Sequence, residues 1–280
     1  MSETNSQLRV TSLGGGHGLH QTLHAAKLLA GAKENEGSDQ ANCRVNAIVT
    51  VADDGGSSGR LRRELSVVPP GDLRMALAAL TPDTKEGREH RDTLQHRFGG
   101  NGAMAGHAVG NLIIAGLTER TGDIQHALDS VGRWVHASGR VLPVALEPLD
   151  IEAEVAGLDD DPRVLRSVRG QVAVATTPGS VRRVRLHPKA PAANPAAIDA
   201  IMNADLVTIG PGSWFSSVLP HLLVPEIVQA LKETKAPVVV ILNLSPEAGE
   251  TPGFSTERHI HVFNPVSYTH LRAHETPEHL

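Results

Sequence analysis

Apolar runs along this chain stop at glycine-rich or acidic loops, and a helical pattern follows each loop. The first run, Leu8–Leu13, stops at a glycine-rich loop, after which Leu19 and Leu23 begin an apolar series at helical spacing. The second run, Val45–Val51, stops at a loop with two adjacent aspartates. The same reasoning predicts further strands over 206–209 and 237–244, and helices over 72–80, 107–117, 123–135 and 224–231.

The predicted strands are apolar throughout rather than alternating, which is typical of a parallel sheet that is covered by helices on both faces. Strands that alternate with helices indicate a doubly wound α/β domain, which we place at residues 8–263. In such a sheet the loops at the carboxyl ends of the strands gather along one edge, where ligands bind. The loops that follow the predicted strands are therefore the candidate ligand site.

Residues 141–188 show a different pattern from the rest of the domain. Apolar and acidic residues alternate over 151–155, which leaves one face of a strand in water. We predict a small antiparallel β insertion that also contains 171–176 and 184–186.

The last residues, 264–280, have no apolar periodicity and read like translated adaptor DNA. We therefore exclude them from the fold as an artefactual tail. They contain the only tyrosine, Tyr268, and three of the 15 histidines, and the other histidines form no metal-spaced set.

Composition narrows the class of function. With 2% aromatic residues and a net charge of −5, the chain has little with which to bind nucleic acid or anionic lipid. The single cysteine, Cys43, excludes an intramolecular disulfide and is typical of a reducing compartment. No apolar run approaches the length of a membrane span, and residues 1–7 do not resemble a signal peptide. We expect a cytoplasmic protein with no nucleic-acid partner and no membrane span.

The first glycine loop suits an anionic ligand. Its residues would let backbone N–H groups approach a phosphate at the start of a helix. Their spacing matches neither a Walker loop nor the Gly-x-Gly-x-x-Gly dinucleotide motif, and a simple tight turn explains the loop equally well. The candidate ligand-binding residues of this loop are Gly14, Gly15, Gly16, His17 and Gly18.

A second glycine loop follows the strand predicted at 206–209 and repeats this logic. Its serine could cap a helix or donate to a phosphate. Because aromatic residues are scarce, the neighbouring Trp214 and Phe215 are the candidates for contact with a base, besides backbone and small polar groups. The candidate ligand-binding residues are Gly210, Pro211, Gly212 and Ser213.

Asp53 and Asp54 follow the second predicted strand. Adjacent carboxylates at a strand end can hold a divalent metal, accept a ribose hydroxyl or act as a base. No cofactor is certain, and Mg²⁺ on these two aspartates is the candidate; an Asp-Gly turn with serine caps is the alternative. The small residues beside them, also candidates for ligand contact, are Gly55, Gly56, Ser57 and Ser58.

Two polar pairs could extend the site. His107 and Asn111 lie four residues apart on one predicted helix face and could contact a ligand together, or cap a loop. Asn243 and Glu250 follow the strand predicted at 237–244, with the same two roles open.

Seven separated motifs occur in order at 14–19, 47–62, 69–74, 95–98, 106–112, 209–213 and 249–251. Together they resemble the gluconeogenesis-factor (YvcK-like) family of the CofD-like superfamily, over the stretch from Arg9 to Phe263. Members of that family usually continue beyond this point, so we expect a C-terminally truncated member.

The resemblance implies a Rossmann-like CofD fold and a cytoplasmic regulator that binds UDP-N-acetylglucosamine. It links the protein to growth on gluconeogenic carbon, cell shape and peptidoglycan precursor supply, with an unidentified regulatory partner protein and the option of a homo-oligomer. The alternative is a metal-dependent transferase similar to 2-phospho-L-lactate transferase, in which Asp53 would be catalytic. A third hypothesis, an NAD-dependent dehydrogenase, is disfavoured by the glycine spacing.

Overall fold

The computed structural model describes residues 8–31, 43–161 and 163–244, and these residues form an α/β fold with two sheets. In chain order the elements are β1 (Leu8–Gly14), α1 (Gly16–Gly31), β2 (Cys43–Val49), α2 (Gly56–Leu65), α3 (Gly71–Leu80), α4 (Lys85–Gln95), α5 (Val109–Thr121), α6 (Ile124–Trp134), β3 (Gly139–Pro143), β4 (Asp150–Ala156), β5 (Leu165–Arg169), α7 (Gln171–Ala175), β6 (Ser180–His187), α8 (Pro195–Met202), β7 (Leu206–Ile209), a π-helical turn (Trp214–Val218), α9 (Leu219–Leu222), α10 (Pro225–Glu233) and β8 (Val238–Val240).

The larger sheet confirms the predicted doubly wound, parallel architecture. Its five strands lie in the order β3-β2-β1-β7-β8, and every neighbouring pair is parallel. The apolar residues of β2, such as Val45, Ala47 and Ile48, are fully buried. Side chains on both faces of a strand are buried only when both faces of the sheet are covered, which explains why this strand does not alternate.

The order of the strands creates a switch point between β1 and β7. From β1 the chain moves outward to β2 and β3 on one side, and later returns to β7 and β8 on the other side. At such a point the loops after the two central strands diverge and leave a crevice, which is where ligands bind in open α/β sheets.

The smaller sheet confirms the predicted antiparallel insertion, with the strand order β5-β4-β6. Ile151, Ala153 and Val155 of β4 are buried, and the acidic residues between them lie on the wetter face. Two parts of the prediction were wrong. Val141–Pro143 belongs to the parallel sheet, because β3 pairs with β2. Residues 171–175 form helix α7 rather than a strand, because the Asp54 carboxylate, which lies outside the insertion, accepts the Val172 N–H in the first turn and stabilises the start of a helix.

The helix predicted after the first glycine loop is present as α1. The other four predicted helices are present as α3, α5, α6 and α10, with ends that differ from the prediction by at most four residues. Helices α2, α4, α8 and α9 have no counterpart in the prediction. Helices α2 and α4 are rich in charged residues and carry few apolar positions, so the apolar spacing that predicts a helix is weak in them. Helices α8 and α9 span only eight and four residues, which is too short for the spacing to repeat. In the part of the chain that the structure describes, no helix is both long and apolar enough to cross a membrane.

Several predictions concern residues outside those that the structure describes. They are the role of Glu250, the motif at 249–251 and the tail at 264–280.

Candidate functional site

The two glycine loops meet at the switch point. Strand β1 ends at Gly14, and α1 begins at Gly16 with a φ of +55°, a left-handed conformation that favours glycine. The first turn of α1 packs on the second loop so closely that a Cβ atom on Gly18 would lie 2.0 Å from the carbonyl oxygen of Pro211. The predicted convergence of these loops therefore occurs, and only glycine permits it at position 18.

A cavity of about 280 Å³ lies between these loops and the end of β2, and we call it the switch-point cavity. Its walls combine glycine backbone, hydroxyl groups and two carboxylates. It is lined by Gly15, Gly16, His17, Gly18, Thr50, Asp53, Asp72, Gln171, Gly212, Ser213, Ser216 and Ser217.

The hydroxyl groups of the cavity come mainly from the turn after β7. Ser213 caps the π-helical turn, since its Oγ accepts a hydrogen bond from the backbone N–H of Ser216 at 3.2 Å. Thr50 also lines the cavity, and its buried Oγ1 has no hydrogen-bond partner among the described residues. A buried hydroxyl group without a partner is costly, and a ligand in the cavity would supply one.

Two carboxylates of the cavity have raised pKa values. Burial, followed by the nearby charge of Asp53, raises the pKa of Asp72 to about 7, against a smaller opposing effect of the Gly16 backbone N–H. Burial also raises the pKa of Asp53, although the Gly55 N–H donates to its Oδ1 at 2.9 Å. Perturbed carboxylates in a cleft are typical of functional sites.

Asp54 lies outside this cavity. Its Oδ1 accepts a hydrogen bond from the backbone N–H of Val172 at 2.9 Å, in the first turn of α7. The same carboxylate lies against Gly170, which has a φ of +105° and where a Cβ atom would be 2.4 Å from Oδ2. Asp54 therefore fixes the insertion to the main domain and places Gln171 at the cavity, whereas Asp53 faces the cavity itself.

His107 and Asn111 belong to a buried polar chain behind the acidic loop. Asn111 Nδ2 donates to Ser57 Oγ at 3.0 Å, and the same Oγ lies 3.0 Å from His107 Nδ1. Asn111 Oδ1 accepts from Arg74 Nε at 3.0 Å. These hydrogen bonds hold the start of α2 against α3 and α5. His107 and Asn111 therefore position the loop that carries Asp53.

Replacing Asn111 by alanine would leave Arg74 Nε and Ser57 Oγ without this partner in the interior. We expect the free energy of unfolding to fall by about 1.5 kcal/mol, because buried donors and acceptors without partners carry their desolvation cost. Urea unfolding followed by circular dichroism measures the change. The matched control is Asn203→Ala at the exposed end of α8, with an expected loss below about 0.5 kcal/mol; equal losses for the two variants would contradict the role of the chain.

Asn243 closes the second glycine loop from behind. Its Oδ1 accepts from the Gly212 N–H at 3.0 Å, and its Nδ2 donates to the Gly212 carbonyl oxygen at 2.9 Å. On the other side, the buried His221 Nε2 lies 3.0 Å from the carbonyl oxygen of Gly14, and burial lowers the pKa of this histidine to about 4. A neutral histidine can donate this bond, so both loops are held by side chains outside the cavity.

The structure thus divides the predicted site residues into two groups. Gly15, Gly16, His17, Gly18, Asp53, Gly212 and Ser213 line the switch-point cavity. The remainder support it from the surrounding loops and helices: Gly14, Asp54, Gly55, Gly56, Ser57, Ser58, His107, Asn111, Gly210, Pro211 and Asn243.

Sequence reasoning missed five lining residues. Asp72 opens a helix directly after two prolines and a glycine, and this loop-to-helix junction was a usable signal. Ser216 and Ser217 follow the Ser213 loop within one turn, whereas Thr50 and Gln171 reach the cavity only through the fold. Trp214 and Phe215 are buried in the core at 2% and 4% exposure, so these aromatic rings do not offer a surface to a base.

Asp53 and Asp72 are the residues that could hold a divalent cation. Mg²⁺ prefers one or two carboxylates together with phosphate oxygens of a ligand, and the hard oxygen donors of this cavity fit that preference. Among the described residues, no group of three or more histidine, cysteine or acidic side chains is arranged to hold a metal by itself. A cation here would therefore need ligands from water or from a bound phosphate.

Comparison with known proteins identifies the family. The family described as "2-phospho-L-lactate transferase CofD" matches residues 10–271. A Mycobacterium tuberculosis protein named "Putative gluconeogenesis factor" is 58% identical over 253 residues, which cover 90% of this chain and 70% of that protein. A protein of the same name from Streptococcus pyogenes is 36% identical, with 91% and 74% of the two chains covered.

Solved structures agree with this assignment. Two crystal structures of one Bacillus halodurans protein match with TM-scores of 0.82 and 0.81 at 35% identity, covering 94% of this chain and 77% of that one. One of them is described as a member of the UPF0052 family. The glycine loops, the parallel sheet and these matches together show that the chain belongs to the CofD family, in the group whose members are named gluconeogenesis factors.

Proposed function

We propose that this protein binds the nucleotide sugar UDP-N-acetylglucosamine in the switch-point cavity and acts as a cytoplasmic regulatory protein. The observation that carries the proposal is the meeting of two glycine loops around one cavity at the switch point. Backbone N–H groups at the start of α1 can bind phosphate oxygens, and the helix dipole favours negative charge at the same place.

The remaining walls suit the rest of a diphosphate ligand. Ser213, Ser216 and Ser217 supply hydroxyl donors to the cavity. Asp53 and Asp72 supply acceptors for sugar hydroxyl groups. The volume of about 280 Å³ is small for a whole nucleotide sugar, so we place the diphosphate and the adjoining sugar inside and the base toward the rim.

The physiological part of the proposal rests on the family. Relatives of this chain are named as gluconeogenesis factors. We propose that ligand occupancy reports the supply of peptidoglycan precursors during growth on gluconeogenic carbon, with consequences for cell shape. A regulatory partner protein would recognise the ligand-bound form of this protein. That form is either a single chain or a homo-oligomer.

The test is calorimetric titration with UDP-N-acetylglucosamine and UDP, with and without Mg²⁺, followed by analysis of the mixture for released UMP or UDP. We expect saturable binding of the nucleotide sugar without turnover. Asp53→Asn should weaken binding about tenfold because it removes a charged acceptor from the cavity. Asp92→Asn, which removes an exposed carboxylate on α4, is the matched control. An equal loss in both variants, or no binding to the native protein, would refute the proposal.

A metal-dependent transferase of a nucleotide-linked phospho-compound is the second candidate. It is favoured by the match to the family described as 2-phospho-L-lactate transferase and by two carboxylates in one cavity. Asp53 and Asp72 would hold Mg²⁺, which neutralises charge on a moving phosphoryl group when bound. Release of UMP or UDP that Asp53→Asn abolishes and Asp92→Asn retains would establish this function instead of the regulatory one.

A further inference from the structure

A second cavity lies at the opposite edge of the parallel sheet, where β2 and β3 begin. Its volume is about 670 Å³, more than twice that of the switch-point cavity and within the range typical of small-molecule sites. The walls come from α3, α6, the turn after α6 and the first residues of β2 and β3. We call it the basal cavity, and its polar lining residues are Arg44, Asp129, Arg133, His136, Ser138 and Arg140.

Positive charge is concentrated in the basal cavity. Three guanidinium groups, from Arg44, Arg133 and Arg140, face one carboxylate, from Asp129, which leaves an excess of two positive charges. The chain as a whole carries a net charge of −5. A local field of opposite sign to the overall charge attracts anions to this place.

The arginines retain donors for a ligand. Arg140 is held by Asp129, with Nε and Nη2 at 2.8 and 2.6 Å from the two carboxylate oxygens, and keeps the rest of its five N–H groups. Arg133 Nη2 donates to Ser130 Oγ at 2.9 Å. The Arg44 guanidinium group makes no hydrogen bond or ion pair with any residue that the structure describes, whereas its backbone belongs to β2. The guanidinium group of Arg140 is therefore held in place, whereas those of Arg44 and Arg133 can adjust to a ligand in the same cavity.

His136 contributes an imidazole ring to this wall from a strained backbone conformation. It follows the end of α6 with a φ of +51°, and the Ala137 N–H donates to the Gly132 carbonyl oxygen at 2.9 Å, as in a Schellman motif. Glycine is the residue that adopts this conformation without strain, whereas the Cβ atom of a histidine makes it unfavourable. Strained backbone conformations cluster at binding and active sites, and His136 lines this cavity.

We propose that the basal cavity binds an organic phosphate of sugar-phosphate or mononucleotide size, as a second ligand distinct from that of the switch-point cavity. Guanidinium forks pair with phosphate oxygens in a bidentate way, which gives them geometric specificity as well as charge. The volume exceeds what an inorganic phosphate would fill, so the organic part occupies the remainder, against the apolar floor of Leu77, Leu128 and Val141.

Tryptophan fluorescence offers a readout close to the cavity. Trp134 is 40% exposed and its ring lies 5.0 Å from that of His90, which in turn lies 6.2 Å from that of His136. The other tryptophan, Trp214, is buried. We expect glucose 6-phosphate and AMP to change the fluorescence in a saturable way, inorganic phosphate to bind at least tenfold more weakly, and glucose and adenosine to have no effect.

Three substitutions locate the site. Arg44→Ala and Arg133→Ala remove exposed side chains, so the fold should survive, and each should weaken binding of the organic phosphate about tenfold in calorimetry. Arg182→Ala, an exposed arginine on β6 away from the cavity, is the matched control and should leave the affinity unchanged. No saturable binding to the native protein, equal affinity in all three variants, or inorganic phosphate binding as tightly as the organic phosphates would overturn the proposal.

Discussion

Gly18→Ala is expected to lower the free energy of unfolding by about 3 kcal/mol and to abolish ligand binding in the switch-point cavity. The new Cβ atom would lie 2.0 Å from the carbonyl oxygen of Pro211 and 2.5 Å from its carbonyl carbon. Both are backbone atoms, so the contact can be relieved only by moving one glycine loop away from the other. Overpacking of this kind costs about 1–3 kcal/mol, and the cavity between the loops changes shape with it.

The measurement is urea unfolding, together with calorimetric titration of UDP-N-acetylglucosamine. Gly116→Ala is the matched control, since Gly116 lies in α5 and a Cβ atom there would meet nothing within 4 Å. Alanine is a better helix former than glycine, so this variant should be more stable by about 0.5–1 kcal/mol and bind normally. Normal stability and binding in Gly18→Ala would show that the two glycine loops can separate without cost.

Asp72→Asn is expected to stabilise the protein at pH 8 by about 2–3 kcal/mol, although the residue lines the candidate site. The pKa of Asp72 is raised from 3.8 to about 7 in the folded state, chiefly by burial. The native protein therefore keeps a proton that the unfolded chain releases between pH 4 and 7. Stability contributed by this group is lost as the pH rises through that window, and about 1.4 kcal/mol corresponds to each pKa unit before water in the cavity reduces it.

Urea unfolding at pH 5 and pH 8 tests this expectation. The native protein should lose stability between the two pH values relative to Asp72→Asn, in which that contribution is absent. Asp92→Asn, which removes an exposed carboxylate on α4, is the matched control and should follow the native pH profile. A gain in stability at pH 8 together with weaker Mg²⁺-dependent binding is the expected result for a residue kept for function; parallel pH profiles for native protein and Asp72→Asn would contradict it.

Much of the fold could be predicted from the sequence because burial requires a local pattern of apolar residues. Strands that are covered on both faces are apolar throughout, as in β2, and the wet insertion alternates, as in β4. Helices α2 and α4 were not predicted because their stability comes from caps and contacts rather than from a wide apolar face. Thr84, for example, caps α4 by accepting from the Gly87 N–H at 3.0 Å.

The candidate site could be predicted in part, for a related reason. Glycine loops at strand ends are visible in the sequence because close approach of backbones excludes side chains, as at Gly18. The sequence does not show which role each polar residue of the site has. Asp53 and Asp54 are neighbours with the same chemistry, yet one faces the cavity and the other caps α7, and Asp72 replaces Asp54 as the second carboxylate of the cavity.

By itself the sequence determined the class of fold, the family motifs and the loops that would form the site, since each depends on residue types at short spacing. Only the tertiary structure decided the switch point between β1 and β7, the pairing of Asp53 with Asp72, the support of both loops by Asn243 and His221, and the basal cavity. Each of these depends on contacts between residues far apart in the chain. Their distances, burial and shared charges are set by how the helices pack on the sheet, and no local pattern of residues encodes them.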